Sequence, residues 1–408
     1  MSAKIIAKHL NIVHLLVLIS CLLPFSLASC AGRMDDNITP IVDRDSTPTN
    51  PPSEGEGEGE GHDDDSKLMR FEIEFAADAA NATIQPAMLK FNKRGWVSIE
   101  WDDNSLEALK ALPYLDERYY TDGCGNRINY SAAVAVNGRN QYHNEEAGLM
   151  STNVTYAQMK MLIAKGWDME NHSYYHEPTG NYNYGNDRAR NVSELDELIY
   201  DRIGYRMNGL VVPTNYDGFP SAAKDFGYLF STSQGTFDDL PPAGNPTYKD
   251  VQDFDLAPKD FSSFNRMFYD DWNEMNKAVT AAFAEIITKK NHYFRIASHR
   301  VDEQIFGGLM ELFEKSGKDN ILIIPTREAM EYRIMADLPI SYVFQENKLL
   351  VEIDASTLPD RFRWRDLSFL VKPVGIITGV KTVSNIDRIS FNAETGLVNI
   401  FKQVTAWE

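Results

Sequence analysis

Three short stretches carry residue types that could do chemistry together. Ile99-Glu100-Trp101-Asp102-Asp103-Asn104 ends an apolar run in two adjacent carboxylates, Asn171-His172-Ser173-Tyr174-Tyr175-His176 holds two imidazoles, and the run 293–298 delivers a third, His299. One carboxylate and two histidines make a three-ligand metal site of the catalytic kind, with positions left for water. One carboxylate and one histidine then remain as a base and an acid. Each stretch alone is weak: adjacent Asp residues are common in loops, an HxxxH is more often a surface coincidence, and a lone strand-end His is usually structural. The x3 spacing brings His172 and His176 to one face if their segment turns helically.

These stretches sit at the ends of strand-like runs. Apolar runs at 96–101, 131–136, 167–170, 209–213, 228–231, 293–298 and 321–325 alternate with amphipathic patterns at 193–207, 272–289, 303–315 and 327–335. Repeated strand then helix predicts an α/β fold with a parallel sheet or barrel, where functional residues gather at the C-terminal ends of strands. Ser193, with Asp196 three residues on, is the expected N-cap of the first of these helices. After Pro339 the pattern becomes short strands separated by turns, which predicts a small β-sandwich over 339–408. The alternation of Phe71, Ile73 and Phe75 with Glu72 and Glu74 predicts a half-exposed strand that could join it.

The order and context of the motifs resemble the polysaccharide deacetylase family, carbohydrate esterase family 4. That family shows a strand ending in Asp-Asp, an Asn-His-Ser/Thr-x-x-His segment, an Arg-Pro-Pro-Tyr-like loop and a late strand ending in Leu-x-His. The resemblance covers about residues 91–336 and implies a distorted (β/α)7 barrel acting on an N- or O-acetylated polysaccharide or oligosaccharide. It implies that Asp103, His172 and His176 hold a divalent metal, zinc first, though cobalt, nickel or manganese also suit an Asp-His-His set. It implies further that Asp102 takes a proton from the attacking water and that protonated His299 gives one to the departing amine. Two departures stand out. Val212-Pro213-Thr214-Asn215-Tyr216 replaces the Arg-Pro-Pro-Tyr loop, and Ser231-Thr232-Ser233 stands where an Asp and a Trp are usual. The expectation is that the base-orienting arginine is absent and its charge pair lost as a unit. A backbone N–H of Asn215 or Tyr216 would still serve an oxyanion hole. The alternative reading is a catalytically impaired relative that binds glycan or protein.

The flanks suggest export. Lys4 and Lys8 precede an apolar stretch and small residues, the layout of a secretory signal over 1–29, and Leu27-Ala28-Ser29-Cys30 resembles a bacterial lipobox. That resemblance implies a lipid on Cys30 and anchoring at the outer membrane or cell surface. Residues 30–66, with the run Glu-Gly-Glu-Gly at 54–61, form an acidic tether that cannot bury apolar surface. Residues 67–90 follow as a strand-bearing segment before a barrel at 91–338. The 408 residues carry a net charge of −19, of which −12 falls on 67–408, so a phosphate backbone would be repelled and nucleic-acid binding is excluded. The cysteines, Cys21, Cys30 and Cys124, are too few and scattered for a Cys-based zinc site or a disulfide framework, and no feature sets an oligomeric state. Two features carry open expectations. Segment 232–271 is either a substrate-facing flap or packing over the barrel, and Tyr174, Tyr175, Tyr182 and Tyr184 either stack on sugar rings or serve the structure.

Overall fold

In the computed structural model, residues 67–76, 81–140, 144–176, 187–234, 251–254 and 261–407 are described. The signal, the tether and Cys30 lie outside them, as do Tyr182 and Tyr184. Two strands open the fold, β1 (Leu68–Phe75) and β2 (Thr83–Pro86), followed by β3 (Gly95–Trp101) and α1 (Glu107–Asp116). A hairpin, β4 (Tyr119–Thr121) and β5 (Arg127–Asn129), leads to β6 (Ala133–Val136), α2 (Tyr156–Ala164), β7 (Asp168–Asn171) and α3 (Arg188–Ile203). Next come β8 (Gly209–Val211), α4 (Phe219–Asp225), β9 (Phe230–Ser233), β10 (Gln252–Asp253), β11 (Ser262–Asn265) and β12 (Met267–Phe268). Then α5 (Trp272–Ile286), β13 (His292–Ser298), α6 (Glu303–Gly317), β14 (Ile321–Ile323) and α7 (Thr326–Met335) complete the α/β part. Strands β15 (Ile340–Gln345), β16 (Lys348–Asp354), β17 (Leu367–Lys372), β18 (Ile377–Ser384), β19 (Arg388–Asn392) and β20 (Leu397–Phe401) follow.

The parallel pairings run β13-β3-β6-β7-β8-β9-β11, with β14 also parallel on β3. The run 262–268 then closes the circle: β11 pairs with β9, and β12, one residue later, pairs in parallel with β13. This is the distorted α/β barrel expected, with one strand the sequence did not announce. Within the expected flap, 262–268 is therefore a barrel strand and Gln252–Asp253 pair antiparallel with β13. Its Ser, Asn and Arg residues read as a loop because they serve a polar lumen.

That lumen is layered. At its base Trp96 stacks on Tyr293, with ring centroids 4.6 Å apart, and Phe254 stands edge-on to both. Above them lies charge: Arg295 of β13 pairs with Glu100 of β3, and Arg266 and Thr232 also reach Glu100, at 3.3 and 3.4 Å. Four strands thus meet on one carboxylate, and Asp102 and His172 form the next layer up. Outside the ring, helix faces are apolar at helical spacing, as with Phe306, Leu309, Met310 and Phe313 on α6, where Phe306 meets Trp101 and Trp272.

Helix α3 starts earlier than expected. Its N-cap is Asp187, whose side chain accepts from Arg190 N–H, while Ser193 lies inside the helix with its hydroxyl turned back to the Arg190 carbonyl. Gly204, at φ 66°, ends it.

Strands β15, β16, β1 and β18 form one antiparallel sheet and β19, β20, β17 and β2 another, with Phe71 and Phe369 in ring contact across them at 5.3 Å. Residues 68–86 therefore add one strand to each sheet of the C-terminal sandwich. Where it meets the base of the barrel, the contact is polar and buried. Arg363 donates to the carbonyls of Trp167 and Ile163 and to Tyr205, and Glu331 accepts the N–H groups of Arg363 and Trp364. Lys90 bridges Glu328 and Asp366 at 2.5 Å each.

Candidate active site

The loops above the lumen are folded by their own polar residues. At the exit of β3, Asp103 and Asn104 both take positive φ, 62° and 51°, which turns the chain sharply and lifts Asp103 out of the lumen while Asp102 stays inside. Asn104 holds this turn: its N–H donates to Ala135 and its side-chain oxygen accepts from Asn137 N–H. Asn137 in turn donates to the His172 carbonyl, and the Ser105 hydroxyl donates to the His299 carbonyl at 2.7 Å. The three motif loops are thus tied to one another.

The segment after β7 is not helical. Ser173 takes φ 69°, its N–H donates to the Asn171 side chain, and its hydroxyl donates to the Tyr175 carbonyl. This reversal, rather than a helical face, brings His176 back beside His172, with ring centroids 5.0 Å apart.

Asp103, His172 and His176 converge, each offering an atom within 4.8 Å of the others. Both Nε2 atoms lie 3.5 Å from Asp103 Oδ1, which is itself buried with no hydrogen-bond donor. Ligands about 2.1 Å from one tetrahedral ion stand about 3.4 Å apart, so the spacing is that of a donor set around a cation. The His172 tautomer fits as well: Nδ1 lies 2.8 Å from the Val211 carbonyl, and donating its proton there leaves Nε2 with a lone pair. Burial pushes the His172 imidazole down to about 4, against the pull of Asp102, so it is neutral at pH 7. The residues present therefore fit a divalent metal.

Asp102 is buried and held by a guanidinium that the sequence reading passed over. Arg266 donates from both terminal nitrogens, one to each Asp102 oxygen at 2.7 Å, in the fork geometry that fixes a carboxylate's plane. The arginine is indeed missing at Val212, but Asp102 is not left without one, because Arg266, between β11 and β12, pairs with it. Burial alone would raise the Asp102 carboxyl, yet Arg266, with His172 and His299 nearby, holds it down at about 2.

His299 stands across the site, Nε2 3.4 Å from Asp103 Oδ2. Its other face belongs to Asp270, a second residue passed over, whose Oδ1 accepts the His299 backbone N–H at 2.9 Å and whose Oδ2 lies 3.0 Å from Nδ1. Burial would lower the imidazole, but the Asp270 hydrogen bond and the charges of Asp102 and Asp103 raise it above its ordinary value. That direction favours the protonated form, which is the one an acid needs.

The two oxyanion candidates are adjacent. Tyr216 N–H is committed to the Pro213 carbonyl at 3.1 Å, and Asn215 ends the same one-turn 3-10 helix, at φ 53°. Of Tyr174 and Tyr175, the first packs its ring on Gly138, where a Cβ would come within 2.7 Å of it, and its hydroxyl accepts from Arg139.

No family model matches the chain, and no curated protein matches it. Among solved structures, the chain is similar to the family 4 carbohydrate esterase domain of a multidomain xylanase from the hindgut metagenome of Trinervitermes trinervoides, at 12% identity over 58% of this chain and 90% of that one, with a TM-score of 0.35. It is also similar to the chitin deacetylase of the fungus Colletotrichum lindemuthianum, at 15% identity over 61% and 92%, TM-score 0.35. A family 4 pseudoenzyme from Bacillus anthracis matches at 11% over 58% and 66%, TM-score 0.35. These structures belong to the family that the motifs resemble, and at such identities and TM-scores the weight of a functional reading rests on the site itself.

Proposed function

We propose that this protein is a metal-dependent deacetylase of an N- or O-acetylated glycan, working at the bacterial cell envelope and anchored through a lipid on Cys30. The observation that carries the proposal is the joint placement of Asp103, His172 and His176 around one point, with paired Asp102 on one side and paired His299 on the other. A divalent ion bound by the three ligands, zinc as the first choice, would polarise an acetyl carbonyl and acidify water. Asp102, ionised at any working pH, accepts the proton of the attacking water. His299 presents Nε2 to the site while Nδ1 is held by Asp270, and it delivers a proton to the leaving nitrogen or oxygen. A backbone N–H of Asn215 or Tyr216 would receive developing negative charge on the carbonyl oxygen.

The alternative is a catalytically impaired relative that binds glycan or protein; the pairing of Arg266 with Asp102 favours the catalytic reading over it. Elemental analysis of the purified protein, together with acetate release from a panel of acetylated glycans, tests the proposal. Bound metal with acetate release is expected; metal without acetate from any glycan would return the protein to the alternative. Anchoring is tested separately by Cys30→Ser, which should move the protein from the membrane fraction to the soluble fraction.

A further inference from the structure

A second concave site lies at the end of the barrel away from the metal donors. A cleft of about 160 Å³ opens where the N-terminal ends of β3, β6 and β7 meet the β4–β5 hairpin and the C-terminal sandwich. Strand β3, Gly95–Trp101, separates it from Asp103: at about 3.3 Å per residue the two lie roughly 20 Å apart. At about 10–15 Å³ for each water, the cleft has room for roughly ten waters, or for one sugar ring in their place.

Its polarity is graded. At the floor, Lys90 is buried and gives two of its three N–H donors to Glu328 and Asp366 at 2.5 Å each, so one cation stands there against two carboxylates. At the mouth stand Lys165, paired with Asp116 at 2.7 Å, and Arg388, whose guanidinium lies 3.7 Å from the centre of the Phe401 ring. Arg388 makes no ion pair among the described residues, and in a body of charge −12 such a cation at a cavity mouth selects an anionic group. The rest of the lining mixes hydroxyl and amide groups, from Ser131, Asn129 and Gln403, with apolar surface from Phe91 and Ile128. Hydroxyls suit the floor, which offers a remaining Lys90 donor and the Glu328 carboxylate as acceptor. A carboxylate suits only the mouth, because the floor would repel it.

We propose that this cleft binds one carboxylated sugar ring, a uronic acid unit, with ring hydroxyls on Lys90 and Glu328 and the carboxylate on Arg388. The inference goes beyond the deacetylase reading and does not rest on it, since no residue of the lining belongs to the metal or proton-transfer set. Its consequence is a second hold on an acidic glycan, at the far end of the barrel from the chemistry.

Isothermal titration of the full chain, with its metal bound, against D-glucuronate, D-galacturonate and D-glucose tests this. At least one uronate should bind, more weakly as salt is raised, and glucose should bind about 10-fold more weakly or less. Arg388→Ala should weaken the uronate by about 10-fold or more, and Asn129→Trp, at an exposed lining position, should block the cleft. Should Asn129→Trp prove insoluble, Gln403→Trp, also exposed, takes its place. His172→Ala, which disturbs only the metal centre, should keep uronate binding. No binding of either uronate, equal binding of glucose, binding that survives Arg388→Ala or the tryptophan variant, or binding lost in His172→Ala would overturn the inference. Uronate binding without acetate release from any glycan would overturn the proposed function alone.

Discussion

Asp102→Asn keeps the shape of the side chain and removes its charge, so it separates what the carboxylate does for stability from what it does for chemistry. Burial opposes the charge, but Arg266, His172 and His299 more than offset it, taking the carboxyl from its ordinary 3.8 to about 2. At about 1.4 kcal/mol per tenfold, that difference is worth about 2 kcal/mol of stability in the metal-free protein. Because the folded-state value is the lower one, the contribution is fully present above 3.8 and disappears as pH falls through about 2. The variant also leaves the buried Arg266 with Glu100 as its remaining carboxylate partner, which adds to the loss. Urea unfolding of metal-free protein at pH 7, followed by tryptophan fluorescence, should therefore show Asp102→Asn less stable by about 2 kcal/mol or more. The gap should narrow as the titration is taken below pH 3.8. With metal restored, the variant should bind the ion normally and lose about 10²-fold or more in kcat. Equal stability at pH 7 would refute the buried ion pair, and equal activity would refute the assignment of Asp102 as base.

Other outcomes follow from the same geometry. His172→Ala should lose the bound ion on dialysis, read by elemental analysis, because it removes one of three converging donors. Asp270→Asn should move the basic limb of the rate profile to lower pH: Asp270 helps raise His299, the acid must be protonated, and without that partner it deprotonates sooner. Arg363→Ala should cost about 3 kcal/mol or more in urea unfolding, since it removes buried hydrogen bonds to the carbonyls of Trp167 and Ile163 and to Tyr205 and leaves a void in their place. Deleting residues 339–408 should give insoluble protein, because β1 and β2 lose their neighbours and Glu331 and Lys90 lose buried partners; a soluble, metal-binding barrel would show the sandwich to be dispensable.

The sequence by itself determined the strand-helix alternation and the five residues Asp102, Asp103, His172, His176 and His299. Asp102, Asp103 and His299 follow directly on apolar runs and His172 follows directly on β7, so a local pattern marks each strand's exit, while His176 lies further along the loop. Periodicity also places the C-terminal strands, although β18 escaped because Thr378, Lys381 and Thr382 dilute its apolar pattern. What only the tertiary structure decided is how these groups are partnered. Arg266 is 164 residues from Asp102 in the chain, and Asp270 is 29 residues from His299. Arg266 falls between β11 and β12 and Asp270 just past β12, in a stretch of mixed polar and aromatic residues that no hydrophobic period announces. The same holds for Glu100 and Arg295, which look like exposed residues in a strand and are buried against each other. The Ser173 reversal that turns His176 back to the ligand set is likewise made by hydrogen bonds, not by helical spacing. Apolar periodicity is written residue by residue along the chain, whereas the pairing of buried charges exists only once barrel closure brings distant strands to a common axis.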